Sequence, residues 1–276
     1  MKKTLSEYLF ERFCKERGVP YARIPEGSQR TPDYELFPES RPVVVEVKEI
    51  KPNKEEMESE RIMAERGWGN VLGHTPGDRV RSKIAASSAQ IKARTQGKHP
   101  SLLVVFDERG EIPNVEPYSI RVAMYGLEQI NIAVPPPGLG SPHATGMSYG
   151  PKRKMTRTHN TSISAVAAMV ALSSDRSELL VCHNRHAKIP LPPKRLAPFG
   201  VRQFRLADPV PGRTADWVEI RQEPINTRRS GPFQRAAYLL ARYSNAAWQT
   251  RLIIALGSAL LLAVITGLIT AFLRGG

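Results

Sequence analysis

The sequence has little cysteine, no recognisable export signal and no internal repeat. Only Cys14 and Cys182 occur in 276 residues, which argues against a disulfide framework. The opening MKKTLSEYLFERFCKERG begins with two lysines but has no apolar core or cleavage site, so we expect no signal peptide. The stretch GLGSPHATG lacks the GK[ST] ending and the strand–helix frame of a phosphate-binding loop. A secreted disulfide-linked domain and a P-loop nucleotide-binding protein are therefore both disfavoured.

Long apolar runs are also scarce, with one exception near the C-terminus. Residues 252–273, LIIALGSALLLAVITGLITAFL, carry no charge, and a helix of this length spans roughly 33 Å, enough to cross a bilayer core. Arg235, Arg242 and Arg251 precede the run, and only Arg274 follows it. By the positive-inside rule, we expect a single-pass protein of the cytoplasmic (inner) membrane with its N-terminal domain in the cytoplasm. A buried core helix is the alternative, but core helices rarely run this long without a polar face.

Acidic residues are the minority charge. The chain has 40 Lys and Arg against 26 Asp and Glu, a net charge of +14 and an isoelectric point near 10.0. This balance indicates an anionic partner, either nucleic acid or the anionic lipid surface, and charge alone does not separate the two. A homo-oligomer or a partner subunit also stays open.

The hydrophobic periodicity predicts alternating helices and strands. Helices are expected at 4–17, 53–66 and 80–93, and in YSIRVAMYG and SISAVAAMVAL. Strands are expected in PDYELF and VVVEVKE, which flank a turn in PESRP, and in SLLVVFDE, QINIAV and SELLVCHN. Residues 135–151 are expected to form a loop. This order favours an α/β or α+β domain with a mixed sheet.

The same reading divides the chain into three parts. We expect a folded domain over residues 1–206, an Arg- and Pro-rich stalk with an amphipathic lead-in over 207–250, and a transmembrane tail anchor over 251–276. The soluble body is thus predicted to hang from the membrane by its C-terminus.

The predicted hairpin carries the most informative charges in the body. Side chains alternate along a strand, so Glu46 and Lys48 share one face while Val45 and Val47 share the other. A charged pair on so apolar a strand is costly unless it is paired or binds something. A turn centred near Ser40 places Asp33 opposite Glu46 or Val47. Two carboxylates on adjacent strands suit Mg²⁺ or Mn²⁺, and a lysine beside them can hold or deprotonate an attacking water.

These residues resemble the PD-(D/E)xK nuclease superfamily, whose motif they match as Pro32-Asp33 followed by Glu46-Val47-Lys48. The resemblance implies a restriction-endonuclease-like mixed sheet flanked by helices, with Asp33, Glu46 and the Val47 carbonyl as Mg²⁺ (or Mn²⁺) ligands. It implies that Lys48 activates water or stabilises charge. Families of this group also begin with a helix bearing a glutamate and carry a glutamine on the helix after the motif strand. Here these would be Glu7, with Glu11 as the alternative, and Gln90.

The resulting expectation is a membrane-anchored, metal-dependent nuclease that hydrolyses DNA phosphodiester bonds, with DNA favoured over RNA. Tethering would limit it to nucleic acid that arrives at the membrane, which suits defence against foreign DNA. Two alternatives stay open: a catalytically inactive, nuclease-like sensor that binds nucleic acid, and a membrane adaptor whose positive charge serves lipid. The intact Asp33, Glu46 and Lys48 favour the enzyme.

Three further groups are weaker candidates. Arg79, Arg81 and Lys83 begin the helix that holds Gln90 and could line the same cleft. His159 and Asn160 follow the basic KRKMTR, which could contact phosphates or form an ordinary solvated loop. The cluster VCHNRH, with Cys182, His183 and His186, has no second pair of ligands elsewhere, so a closed zinc site is disfavoured.

Overall fold

The structure is a computed structural model that describes residues 3–25, 30–39, 41–68, 75–109, 115–171, 177–208 and 210–221. The chain divides into two compact units, Met1–Gln222 and Glu223–Gly276, and the second lies outside the described residues. The predicted transmembrane segment, 252–273, lies outside them as well. Within the described ranges, no helix is long and apolar enough to cross a membrane.

The first unit is a mixed α/β fold built on one large sheet, which confirms the predicted fold class at this level. The strands of this sheet are β1 (Tyr21–Arg23), β2 (Tyr34–Leu36), β3 (Val43–Ile50), β4 (Ser101–Asp107), β7 (Ala165–Ala171), β8 (Ser177–His183), β9 (Arg202–Leu206) and β10 (Trp217–Glu219). They lie side by side in that order. The pairs β3–β4, β4–β7 and β8–β9 are parallel, and the other neighbouring pairs are antiparallel.

Four helices and a small ribbon complete the described elements. They are α1 (Leu5–Arg17), α2 (Lys54–Arg66), α3 (Asp78–Thr95) and α4 (Pro117–Tyr125), with strands β5 (Glu128–Ala133) and β6 (His143–Tyr149) forming a separate antiparallel pair. Short 3-10 helices occupy Pro193–Arg195 and Ala197–Phe199.

Helix α1 begins and ends where its sequence requires. The Thr4 hydroxyl accepts a hydrogen bond from the Glu7 amide at 3.2 Å, and the Glu7 carboxylate accepts one from the Thr4 amide at 2.7 Å, forming a capping box. At the other end Gly18 adopts a left-handed conformation with φ of 65°, which glycine tolerates without a steric penalty. The cap therefore ties Glu7 to the start of its own helix.

Two hydrophobic layers lie on opposite faces of the sheet. On one face, α1 packs its Leu9, Phe10 and Phe13 against Val45 and Val47 of β3. On the other, α3 and α4 pack against Ile50 of β3 and the alternate residues of the central strands. Because side chains alternate along β3, Glu46 and Lys48 share the face of Ile50, toward α3. Two of the three charged residues of β3, Glu46 and Lys48, therefore lie under α3, whereas Glu49 accepts from the Ser6 amide of α1.

Three segments differ from the sequence prediction. The stretch SISAVAAMVAL, predicted as a helix, contains strand β7, and the predicted loop 135–151 contains β6. Alanine favours helices, but Ala165–Ala171 lies between β4 and β8 with its first five residues buried, so pairing on both edges overrides local preference. Strand β10 lies beyond the predicted domain boundary at 206, so the sheet extends into the segment expected to be a stalk.

Candidate active site

The register of the β2–β3 hairpin brings Asp33 to the middle of β3. Tyr34 pairs with Val45, so Asp33 lies beside the next residues along the strand. The Asp33 amide donates to the Val45 carbonyl at 3.1 Å, and Asp33 Oδ2 accepts from the Val47 amide at 2.7 Å. The backbone of β3 thus fixes the orientation of this carboxylate. The contact to Asp33 comes from the Val47 amide, and ligation by the Val47 carbonyl stays a prediction.

Glu46 occupies the centre of the site. It has no exposed surface, although it carries a carboxyl group. The Lys48 ammonium forms an ion pair with Glu46 Oε1. The Gln90 side chain, on α3, lies close enough to lower the pKa of the same carboxyl group. Neither Glu46 oxygen accepts a hydrogen bond of ordinary geometry from a described residue. A buried carboxylate with so few partners is unusual, because burial strongly penalises the charged form.

The electrostatics of the two carboxyl groups are linked. Burial, followed by repulsion from Asp33, raises the pKa of Glu46 to about 7, while Lys48 and Gln90 oppose the rise. Burial likewise raises the pKa of Asp33, against the opposing effect of the Val47 amide and the Lys48 charge. The pair therefore holds protons more tightly than ordinary carboxyl groups do. A cation placed between them would relieve both the desolvation and the repulsion.

The two glutamates of α1 have other partners. Glu7 Oε1 accepts from Arg23 at 2.8 Å, while Oε2 belongs to the helix cap. Its charge still raises the pKa of Asp33, so Glu7 lies within electrostatic range of the site. Glu11 accepts from Lys3 at 2.7 Å and from the Tyr34 hydroxyl at 3.0 Å. Of the two, Glu7 is the better placed as a supporting carboxylate, and Arg23 is a neighbour of the site that sequence reasoning missed.

The donor set fits a hard divalent cation of the Mg²⁺ type. Asp33 and Glu46 supply two carboxylates, and such ions are commonly held by one or two protein carboxylates together with water and substrate phosphates. The observation that favours the fit is the buried Glu46 carboxyl group, neither oxygen of which accepts a hydrogen bond of ordinary geometry from a described residue. Among the described residues, no group of three or more His, Cys, Asp and Glu side chains is arranged to hold a metal.

Of the three basic residues at the start of α3, Arg79 and Lys83 line a cavity next to the site, whose lining does not include the candidate catalytic residues. Arg81 is buried against α4, donating to the Val122 carbonyl at 3.2 Å and pairing with Asp78. The expectation that Arg81 shares the cleft is wrong, because the helical spacing turns it away from its neighbours.

The histidine-containing candidates have structural partners. His183 lies 3.0 Å from Gln203 through Nε2, and His186 packs edge-on against Tyr125. Cys182 is buried, which raises the pKa of its thiol. Asn160 donates to the Lys154 carbonyl at 2.7 Å and so closes the basic loop on itself. These contacts explain the residues without a ligand.

The chain has no recognised relative among the proteins compared with it. No protein-family model matches the chain, and no curated protein or solved structure is significantly similar to it. The assignment of this site therefore depends on its own geometry and on the motif that the hairpin carries.

Proposed function

We propose that this protein is a Mg²⁺-dependent nuclease that hydrolyses DNA phosphodiester bonds and is anchored in the cytoplasmic membrane by residues 252–273. The observation that carries the proposal is Glu46, a fully buried carboxyl group beside Asp33, with Lys48 on the same strand face. Burying these charges is costly for a structural ion pair, but it is expected of a site that gains a cation.

Each residue of the site has its own proposed role in hydrolysis. Asp33 and Glu46 would hold the metal, which supplies charge stabilisation to the phosphodiester when bound. Lys48 would position the attacking water or accept its proton. Gln90 would orient Lys48 and Glu46 from α3, and the Val47 amide keeps the Asp33 carboxylate aimed at the site.

The resemblance to the PD-(D/E)xK superfamily supports the same reading. Asp33 directly precedes β2, and Glu46 and Lys48 lie on β3 of the same hairpin. A helix with Glu7 comes before the hairpin, and after α2 come the helix with Gln90 and the buried strand β4. A restriction-endonuclease-like arrangement of the mixed sheet is part of this proposal. The surplus of basic residues suits a nucleic-acid substrate. The membrane anchor suits a role against DNA that enters at the membrane.

The test is cleavage by the full-length protein on single-stranded DNA, duplex DNA and RNA, with Mg²⁺, with Mn²⁺ and with chelator. Metal-dependent cleavage that favours DNA is the expected result. Tight binding of DNA without cleavage under any condition would replace the enzyme with the nucleic-acid sensor. Salt-sensitive binding to anionic vesicles with no affinity for nucleic acid would replace it with the membrane adaptor.

The anchor has a separate test. Deleting residues 252–276 should move the protein from the membrane fraction to the soluble fraction, because the long apolar, uncharged run 252–273 is lost. A folded, truncated protein that stays with the membrane would contradict the anchor and implicate the basic surface instead.

A further inference from the structure

A second cleft adjoins the candidate active site on the α3 side of the sheet. It lies where the end of β3 meets the start of α3 and encloses a cavity of about 340 Å³. Its lining residues are Glu49, Ile50, Lys51, Arg79, Ser82 and Lys83. The cavity lies close to the candidate active site, because the charge of Lys48 lowers the pKa of Lys83.

The charges that line this cavity do not balance. Lys51 pairs with Glu49 at 3.2 Å, and Arg79 pairs with Glu56 at 2.9 Å. Lys83 is half-buried and forms no hydrogen bond or ion pair with any residue of the described part of the chain. Within the described part of the chain, one cation of the cavity thus has no ion-pair partner.

The surroundings make this unpaired cation costly. Burial lowers the pKa of Lys83, and the nearby charges of Lys48 and Arg79 lower it further, with Glu49 opposing. The Glu49 carboxylate is itself occupied, since it also accepts from the Ser6 amide at 3.2 Å. An anion in the cavity would supply the missing charge and relieve the repulsion among the three cations.

We propose that this cavity is a phosphate-binding subsite, in which Lys83 is the anchor and Arg79 and the Ser82 hydroxyl are additional donors. The inference rests on the proposed function in one respect: the phosphate is taken to belong to the nucleic-acid strand whose neighbouring phosphodiester lies at Asp33 and Glu46. The chemistry of the donors suits a phosphate group, because a lysine, an arginine and a hydroxyl are common phosphate ligands. The cavity is large enough for one phosphate and its sugar.

The test uses the full-length protein with chelator present, so that no cleavage interferes. Lys83→Gln removes the anchoring charge. Lys92→Gln is the matched control, because it makes the same change at an exposed position of the same helix. Lys83→Arg keeps the charge. Two probes are used: inorganic phosphate, followed by its effect on the thermal midpoint against chloride at equal ionic strength, and a fluorescent single-stranded DNA, followed by anisotropy over a salt series.

Phosphate should raise the thermal midpoint of the wild type, Lys83→Arg and Lys92→Gln, but not that of Lys83→Gln. The DNA affinity of Lys83→Gln should fall roughly fivefold, and the slope of log affinity against log salt should become shallower by about one. Loss of the phosphate effect with unchanged DNA affinity would overturn the strand assignment and leave a site for free phosphate. Equal behaviour of Lys83→Gln and Lys92→Gln with both probes would overturn the subsite altogether.

The two proposals fail in different ways. If no metal supports cleavage but the phosphate effect depends on Lys83, the nuclease assignment fails and the anion subsite stands. If the wild type cleaves DNA and Lys83→Gln binds both probes normally, the subsite fails and the nuclease stands.

Discussion

Two buried glutamates lie near opposite ends of α3 and differ in how many partners their carboxylates have. Glu46 lies near Gln90 with no exposed surface, and Glu56 lies against Arg79 with 9% of its surface exposed. Glu56 accepts from Arg79 and Arg109 at 2.9 Å each and from the Asn53 amide at 2.6 Å. Glu46 has only the Lys48 ion pair and the nearby Gln90 amide.

The difference appears in their pKa values. Burial raises the pKa of both groups. For Glu56 the Asn53 amide and the two arginines outweigh burial and bring the pKa below its ordinary value. For Glu46 the neighbouring Asp33 adds to burial, and the pKa rises to about 7. Burial alone therefore does not indicate a functional carboxyl group. A buried carboxyl group is a candidate when its hydrogen bonds and ion pairs do not offset the cost of burying its charge.

The largest expected effect is on cleavage and comes from removing the carboxylate of Glu46. Glu46→Gln should reduce metal-dependent cleavage by roughly a thousandfold, because a two-carboxylate site then loses half of its ligands. Asp33→Asn should do the same. Cleavage rates at limiting Mg²⁺ measure the loss, and circular dichroism checks that the fold persists.

The matched control is Glu56→Gln, which should cleave within a few-fold of the wild type. Mg²⁺ should also raise the thermal midpoint of the wild type and not that of Glu46→Gln. Near-normal activity of either Asp33→Asn or Glu46→Gln would eliminate the proposed metal site.

Glu56 should matter more for the stability of the fold than for cleavage. Glu56→Gln should lower the free energy of unfolding by roughly 2 kcal/mol, because it removes one of the two carboxylates paired with Arg109, which keeps Asp107, and breaks the ion pair from α2 to Arg79. Urea denaturation measures the change. Glu58→Gln, in the exposed pair with Arg61, should change the free energy of unfolding far less. Equal losses in the two variants would mean that the buried network does not stabilise the fold.

The next prediction concerns Lys48, the only cation among the described residues that forms an ion pair with Glu46. Lys48→Ala should reduce turnover by roughly a hundredfold while DNA affinity changes little, because the lysine is expected to act on water and not on substrate. Lys48→Arg keeps the charge but is a poor base. Rates and affinities are measured separately, with Lys54→Ala on the exposed side of α2 as the control.

The two variants of Lys48 separate its possible roles. Full activity of Lys48→Ala would remove Lys48 from catalysis. Full activity of Lys48→Arg alone would leave charge stabilisation and remove the general base. A loss of DNA affinity that dominates in Lys48→Ala would assign the lysine to phosphate binding instead.

The smallest effect is the pH dependence of stability, which should have opposite signs at the two glutamates. A carboxyl group with a raised pKa binds its proton more tightly in the folded chain, so its stabilisation is present at low pH and lost as pH rises. For Glu46 this window runs from its ordinary pKa of 4.5 to about 7, and the loss between pH 5 and 8 is about 2 kcal/mol. For Glu56, with a lowered pKa, stabilisation is present above the ordinary value and lost as pH falls.

Urea denaturation of wild type, Glu46→Gln and Glu56→Gln across pH 4–8 checks both signs. The difference between wild type and Glu46→Gln should grow with pH in favour of the variant. A difference that stays flat would mean that Glu46 titrates normally in the folded protein.

The regular half of the fold could be predicted from the sequence, because its signals are local. Alternation in VVVEVKE identified β3 and the shared face of Glu46 and Lys48, and the turn in PESRP set the hairpin register that places Asp33 beside them. The extent of α1 and the buried run of β4 were also predicted. Strand β7 was missed, because an alanine-rich apolar run is compatible with a helix until strands flank it on both sides.

Composition, strand periodicity and turn chemistry determined which carboxylates meet on the hairpin, since those residues are neighbours along the chain or across one turn. Only the tertiary structure decided which charges are compensated. Arg23 reaches Glu7, Arg109 reaches Glu56 across 53 positions, and Lys83 lines a cavity with no ion-pair partner among the described residues. Such pairings depend on where distant elements pack against the sheet. Electrostatic free energies depend steeply on distance and burial, which sequence spacing does not specify.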